Sequence, residues 1–192
     1  MAGRLTVQRL RSSDVESCAR IIAGDPLWQR YGITLSRARR VLRQALAQAA
    51  GGTTAARAVG EIAVARAAGR PVGFVWFRRE GTFHHSGYVR WIAVAPDARS
   101  RGVGRRLMQF VEARVLPAGP NVFLLVSDFN RAAQAFYRQL GYTEVGALPD
   151  YIVPGITERL YRKTRAPIGA WGAGPTRTRG RSSSTTRRRR QQ

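Results

Sequence analysis

A glycine-containing turn between an apolar strand and a helix constrains this chain more than any other feature. The turn is formed by Arg99, Ser100, Arg101, Gly102, Val103 and Gly104. It follows the apolar run 89–94 and precedes residues 107–111, whose apolar spacing is that of a helix. Glycine lets the backbone approach a ligand closely, and a helix start offers unpaired N–H groups and the positive end of its dipole. The turn therefore predicts a phosphate-binding site.

Charged side chains around the turn strengthen this prediction. Four arginines lie in the turn or directly after it, namely Arg99, Arg101, Arg105 and Arg106. A glycine turn alone is also typical of an ordinary strand-to-helix connection with solvated arginines. The Lys-Ser/Thr pair of a P-loop is missing, and so are the third glycine and the later acidic residue of a dinucleotide fold. We therefore expect a phosphorylated ligand that is neither ATP nor NAD.

A second segment about thirty residues further on narrows the interpretation. The apolar run 122–126 leads into a helical pattern that begins at Asn130 and carries Ala133, Phe136, Tyr137 and Gly141. In these two segments the chain resembles the GCN5-related N-acetyltransferase (GNAT) family. The family's coenzyme-A loop reads Arg/Gln-x-x-Gly-x-Gly/Ala, and its later helix reads Asn-x-x-Ala-x-x-Phe-Tyr-x-x-x-Gly-Phe. The resemblance covers residues 5–163.

The order of predicted elements agrees with the α/β (α+β) fold that the resemblance implies. We expect a single mixed, mostly antiparallel, twisted sheet of six to seven strands flanked by about four helices, the GNAT-like acyl-CoA N-acyltransferase fold. A strand, glycine turn, helix and strand in succession require one parallel crossover. In the first half of the chain we expect an edge strand at 5–7, a helix from Ser12 or Ser13, a connection holding Trp28, Tyr31 and Ile33, and a helix from Thr34 or Ser36 that stops at 51–52. A hairpin through 62–77 and a connection at 80–81 should follow. After the glycine turn we expect a helix to Ala113, a helix at 131–140 and final strands at 145–153 and 157–162.

The chain divides into a GNAT domain, residues 1–163, and an Arg/Ser/Gly-rich basic tail, residues 164–192, which we expect to be disordered. The part up to Lys163 is itself basic, since it holds 25 of the 33 basic residues against all 11 acidic ones. Nucleic acid is a candidate partner only through the tail, whose arginines could contact phosphate backbones in a salt-dependent way. An extension without function is an equal alternative.

Several classes of protein are excluded by what the chain lacks. It has no apolar stretch of membrane-spanning length and no uninterrupted apolar signal sequence, so we expect a cytoplasmic protein without membrane contact. The single cysteine, Cys18, is expected to be a small buried side chain rather than a nucleophile. With two histidines, no metal site is expected. A homodimer is compatible with the sequence.

The resemblance implies acetyl-CoA as cosubstrate and assigns roles to residues of this chain. Backbone N–H groups of Ile92, Ala93 and Val94 would bind the thioester oxygen and the pantetheine arm. Residues 99–105 would bind the pyrophosphate, and Asn130 would either contact the coenzyme or cap its helix. Tyr137 matches the general acid that protonates the leaving thiolate, although its spacing also suits a core aromatic residue.

The general base has no clear candidate in the sequence. Relatives place a glutamate near the strand before the glycine turn, but residues 88–92 contain no carboxylate. Glu80, His84, His85 and a bound water are the alternatives, and each histidine is equally typical of a polar hairpin. Asp150 and Tyr151 could line the acceptor side or belong to an ordinary loop.

The acceptor is expected to be a primary amine of a small molecule or a protein N-terminus. Trp28 and Tyr31 could form a wall of its pocket or belong to the core. The basic body makes a polycationic acceptor less favourable than an amine that carries a carboxylate or phosphate. The alternative function is a noncatalytic acetyl-CoA-binding module with a nucleic-acid-binding basic surface and tail.

Overall fold

The computed structural model describes residues 5–50, 59–83 and 85–171, and this part of the chain contains seven strands and five α-helices. The strands are β1 (Thr6–Arg9), β2 (Glu61–Ala67), β3 (Arg70–Thr82), β4 (Ser86–Val94), β5 (Asn121–Ser127), β6 (Thr143–Pro149) and β7 (Thr157–Thr164). The helices are α1 (Val15–Ala23), α2 (Pro26–Arg30), α3 (Leu35–Ala50), α4 (Val103–Val115) and α5 (Arg131–Gln139).

All seven strands form one sheet in the order β1-β2-β3-β4-β5-β7-β6. Every neighbouring pair is antiparallel except β4 and β5, which run parallel and are joined through the glycine turn and α4. Parallel neighbours need a crossover that returns to the same end of the sheet, and a helix supplies it. The predicted fold class is confirmed.

Apolar side chains are buried on both faces of the sheet. On one face, α4 and α5 cover a core that includes Val89, Leu107 and Tyr137. On the other face, α1 and α3 cover a second core that includes Cys18, Leu42 and Phe74. Because successive strand residues point to opposite faces, the strands β2, β3 and β4 contribute to both cores. We call these surfaces the α4/α5 face and the α1/α3 face.

Two local expectations were wrong. Trp28 does not lie in a loop but in the short helix α2, which begins with Pro26 and is capped by the Asp25 carboxylate accepting from the Leu27 N–H at 2.9 Å. Gly24-Asp25-Pro26 thus ends one helix and starts the next, since Asp and Pro are both favourable at a helix start. The predicted connection at 80–81 is part of β3, where the register with β4 shifts between Arg78 and Thr82.

The predicted helix stop at 51–52 and residues 172–192 of the predicted tail lie outside the described residues. The first residues of the tail are described. Thr164 is the last residue of β7, and the Trp171 ring stacks on the His85 ring with centroids 6.1 Å apart. No helix within 5–50, 59–83 and 85–171 has the length and hydropathy to cross a bilayer.

Candidate functional site

The sheet opens where β4 and β5 separate. The two strands pair only from Gly87 to Val89, which lie opposite Val122 to Leu124. Beyond this point β4 remains paired with β3 and β5 remains paired with β7. The segments 90–94 and 125–127 therefore border an opening between the two halves of the sheet. We call this opening the β4–β5 gap.

Backbone amides of β4 point into this gap. The Ala95 N–H donates to the Val72 carbonyl of β3 at 2.9 Å. Because amides alternate direction along a strand, the Ala93 N–H also faces β3, while those of Ile92 and Val94 face the gap. The Val94 carbonyl accepts from the Arg99 Nε at 3.3 Å, as expected for a residue directed away from β3. Of the three predicted donors, two have the orientation needed to bind a ligand there.

The glycine turn forms the start of α4. Gly102 has a φ of 78°, a left-handed conformation that glycine adopts without strain, and Ser100 has a φ of 59°. The first intrahelical hydrogen bond runs from the Arg106 N–H to the Gly102 carbonyl at 3.0 Å, and no side chain caps the helix. The N–H groups of Val103, Gly104 and Arg105 precede this bond and have no partner within the helix. They can bind an anion.

The arginines of the turn differ in whether their side chains are held by an ion pair. The Arg99 Nη2 lies 2.8 Å from the Asp25 Oδ2, so its side chain is held by the residue that caps α2. Arg101 and Arg105 are exposed beside the turn. They could therefore bind a phosphate without breaking an ion pair, whereas Arg99 would first have to leave Asp25.

Tyr137 lies close to the glycine turn on the α4/α5 face. A Cβ placed on Gly104 would lie 3.2 Å from the Phe136 ring, so α4 and α5 are in close contact there. The ring of Tyr137 lies 5.1 Å from that of Phe136, and its side chain is only 5% exposed. Burial raises the pKa of Tyr137 well above that of a free phenol, so it remains protonated at neutral pH. It is thus a core residue near the turn whose hydroxyl keeps its proton at neutral pH.

Asn130 caps α5, as its position predicted. Its side-chain oxygen accepts from the Ala133 N–H at 3.1 Å. This bond fixes the start of the helix that carries Tyr137.

The residues suggested for the general base do not lie at the gap. His85 directly precedes β4, and Glu80 lies on β3 near the same end of the sheet. From Ser86 to Ile92 the strand rises by about 20 Å, so both side chains are at the wrong end of β4 for proton transfer at the gap. This corrects the expectation for Glu80 and His85, while His84 lies outside the described residues.

The loop between β6 and β7 was also suggested for the acceptor side. Asp150 has a φ of 55°, and its carboxylate accepts from the Gly155 N–H at 2.6 Å. It therefore stabilises the loop. Tyr151 is 63% exposed. Burial, together with the nearby Tyr151, raises the pKa of Tyr88 to about 12.

Sequence analysis missed a buried polar cluster at the end of β5. Ser127 of β5 and Glu158 of β7 are opposite each other in the sheet, and Tyr31 reaches both from the end of α2. The Tyr31 hydroxyl lies 2.5 Å from the Ser127 Oγ and donates to the Glu158 carboxylate. No sequence signal connects residues 127 positions apart. We call these three residues the Tyr31 cluster.

An aromatic row connects this cluster to β4. The Trp28 ring lies 6.0 Å from that of Tyr31 and 5.7 Å from that of Trp91. Trp28 and Tyr31 are half-buried against the second core, so both predicted roles, pocket wall and packing, are compatible with their positions. Cys18 is fully buried, as expected, and burial raises its pKa to about 12.

The described part of the chain contains no group of three or more His, Cys, Asp or Glu side chains suited to a metal ion. The gap and the glycine turn are instead suited to an extended ligand with an anionic end, since main-chain donors occur at both places.

Comparisons with known proteins agree with this geometry. Residues 58–144 match the family model described as an acetyltransferase (GNAT) domain. This range includes β4, the glycine turn, Asn130 and Tyr137, but neither Tyr31 nor Glu158.

Two characterised relatives share this region. The N-alpha-acetyltransferase RimI of Mycobacterium tuberculosis is 39% identical over 83 residues, which are 43% of this chain and 51% of that protein. The blasticidin-S acetyltransferase of Streptomyces morookaense is 33% identical over 84 residues, 40% of this chain and 61% of that protein. The chain thus spans only about half to three fifths of the length of these relatives.

Solved structures share the whole fold at lower identity. The ribosomal-protein-S18-alanine N-acetyltransferase of Escherichia coli superposes with a TM-score of 0.62 and 17% identity, over 85% of this chain and 96% of that one. Ard1 of Thermoplasma volcanium superposes with a TM-score of 0.63 and 21% identity, over 85% and 99%. At these identities the likeness concerns the fold alone. Residues 58–144 therefore match an acetyltransferase (GNAT) domain, and the described fold is the one that these acetyltransferase structures share.

Proposed function

We propose that this protein transfers an acetyl group from acetyl-CoA to a primary amine of a small molecule or a protein N-terminus. The β4–β5 gap supports this proposal most directly. It joins the two faces of the sheet, and the Ile92 and Val94 amides face it. A thioester bound along β4 is then accessible from the α1/α3 face, while its phosphates lie at the start of α4.

The start of α4 would bind the pyrophosphate of the coenzyme. The N–H groups of Val103, Gly104 and Arg105 supply main-chain donors, and the exposed Arg101 and Arg105 side chains add charge-assisted ones. Arg99 would join them after leaving Asp25. Ser100 and Gly102 contribute the positive φ angles that shape the turn.

The Ile92 and Val94 amides would hold the thioester and stabilise the negative charge that develops on its oxygen during attack by the amine. The coenzyme supplies an activated acetyl group. Ala93, whose amide faces β3, would position this strand, and Asn130 would position the helix that carries Tyr137.

Tyr137 would protonate the leaving thiolate. A phenol with a raised pKa is a weak acid, so its contribution depends on close positioning rather than on acid strength. Its burial beside Phe136, which contacts Gly104, supports this assignment.

Two measurements test the proposal. Titration calorimetry should detect binding of acetyl-CoA, and a thiol-release assay should detect turnover with a peptide that begins with alanine or with blasticidin S. These acceptors represent the two classes named by the relatives. Absence of acetyl-CoA binding would disprove the proposal. Binding without turnover on a broad amine panel would favour the noncatalytic module.

A further inference from the structure

Glu158 is unusual among the carboxylates of this basic protein. Its side chain is buried, with the residue 3% exposed. Asp14, the other buried carboxylate of the described residues, has Arg66 as its cationic partner. The partly buried carboxylates Asp25, Glu61 and Glu112 also have cationic partners, which are Arg99, Arg79 and Lys163. Within residues 5–50, 59–83 and 85–171, Glu158 makes no ion pair with Lys or Arg, although the chain has 33 basic residues. A buried charge without a partner is costly, so such a site is suited to a cationic ligand.

The cluster around Glu158 has a defined hydrogen-bond direction. Because the single Tyr31 proton is donated to Glu158, the Ser127 hydroxyl must donate to the Tyr31 oxygen. Tyr31 is half-buried, whereas Glu158 lies beneath it. A ligand that reaches the cluster would therefore contact the Tyr31 hydroxyl.

The cluster lies at the acceptor side of the β4–β5 gap. Val126 packs in the core of the α4/α5 face, so Ser127 and its neighbour Glu158 point to the opposite face. Ser127 ends the β5 segment that borders the gap. The rings of Trp28 and Trp91 continue from Tyr31 to the β4 border. Tyr31 and Tyr137 thus lie on opposite faces of the sheet. This arrangement suits a base that deprotonates the acceptor amine on one face and an acid that protonates the leaving thiolate on the other.

The structure assigns to Tyr31 and Glu158 the site that binds and deprotonates the acceptor amine, a role that rests on the proposed acetyl transfer. The ammonium group gives a proton to the Tyr31 oxygen while the Tyr31 proton passes to the Glu158 carboxylate. The neutral amine then forms the N–C bond as the C–S bond breaks. The thiolate takes the Tyr137 proton, the second proton of the amine replaces it on Tyr137, and Glu158 releases the first proton to water. Tyr31 is the catalytic residue, and Glu158 acts through it as a positioning and proton-accepting residue.

The environment of the cluster is consistent with proton acceptance. Burial raises the pKa of Glu158, and Asp128 adds to this effect while the hydrogen bond from Tyr31 opposes it. Tyr88 of β4 also interacts electrostatically with Glu158, and Tyr151 and Arg90 lie near Tyr88. Because the folded-state pKa of Glu158 is raised, ionising it above that pKa reduces stability, so Glu158→Gln should be at least as stable as the wild type at pH 7.

The test compares Glu158→Gln and Tyr31→Phe with the wild type and with a matched control, Glu61→Gln. Glu61 is a half-buried carboxylate on β2, away from the gap. Acetyl transfer is measured between pH 6 and pH 10 on a peptide that begins with alanine and on blasticidin S. We expect kcat/KM at pH 7 to fall about 100-fold in both cluster variants. The loss should shrink towards pH 10, where the free amine is already neutral.

Other readouts separate this role from a structural one. The Kd for acetyl-CoA of Glu158→Gln should match that of the wild type, its thermal stability should be at least that of the wild type, and Glu61→Gln should retain wild-type kinetics. A loss of equal size at every pH, or rates within about threefold of wild type, would overturn the assignment while leaving the proposed function intact. A wild-type protein that acetylates neither probe nor any amine of a broad panel would instead overturn the proposed function, and this assignment with it.

Discussion

Tyr137 packs among aromatic rings in the core of the α4/α5 face. Its ring lies 5.1 Å from Phe136 and 6.4 Å from Tyr161, which is fully buried. Burial raises the pKa of Tyr137, so the hydroxyl carries its proton throughout the physiological pH range. The residue can therefore serve packing and proton transfer at once, and a substitution that keeps the ring separates the two roles.

We expect Tyr137→Phe to slow acetyl transfer about 100-fold, since it removes the proton donor while preserving the aromatic packing. The Kd for acetyl-CoA should remain within about twofold. Tyr161→Phe is the control, because it removes a hydroxyl from the same core that bonds only Glu144 at 3.3 Å. Steady-state kinetics and calorimetry measure both effects. Equal rates in the two variants would assign Tyr137 to the core alone.

The ion pair between Arg99 and Asp25 competes with the proposed phosphate contact of Arg99. Asp25→Asn keeps an oxygen that can accept from the Leu27 N–H but removes the charge that holds Arg99. A partly exposed pair of this kind contributes about 0.2–1 kcal/mol. We therefore expect the affinity for acetyl-CoA to rise by up to about fivefold, measured by calorimetry. An unchanged or lower affinity would show that Arg99 does not bind the coenzyme phosphates.

At the scale of elements, the start of α4 depends on the backbone of Gly102. Its φ of 78° is left-handed, and nothing lies within 4 Å of a Cβ placed there. Gly69, in the β2–β3 turn, has the same φ and equally open surroundings. The two positions thus share one conformational requirement but lie at different sites.

Gly102→Ala and Gly69→Ala should each lower the free energy of unfolding by about 1 kcal/mol, the cost of a Cβ in this conformation. Only Gly102→Ala should weaken acetyl-CoA binding, because a shift of this residue displaces the N–H groups of α4. Thermal unfolding gives the first quantity and calorimetry the second. Equal affinities in the two variants would argue against phosphate binding at α4.

At the scale of the whole molecule, charge is distributed unevenly along the sequence. The net charge is +22, and residues 172–192 contain seven arginines and no acidic residue. Such a segment would attract polyanions irrespective of sequence.

Deleting residues 172–192 should leave acetyl transfer to a small amine unchanged, because the gap, the turn and the Tyr31 cluster all lie before Trp171. Binding of RNA at low salt should weaken, and the dependence of its affinity on salt concentration should become less steep as phosphate contacts are lost. Filter binding across a salt series measures both. An unchanged slope would show that the tail does not contact nucleic acid.

Local sequence determined the side of the site that we propose for the coenzyme. The glycines, the arginines and the Asn130 cap are close together along the chain, and their effects depend on backbone conformation and helix starts. Apolar periodicity likewise determined most of the strands and helices, though not α2 or the end of β3, and, through the one crossover, the parallel pair β4–β5. These features depend on neighbours within a few residues, so they could be predicted without the fold.

Tertiary structure alone decided the acceptor side. Tyr31, Ser127 and Glu158 come from three distant parts of the chain and have no shared spacing. Glu80 and His85 were wrong candidates for the general base, because residues close to β4 in sequence need not lie close to the gap. The position of the gap also depends on where two strands stop pairing. Such contacts arise from the packing of whole elements, and local propensity carries no information about them.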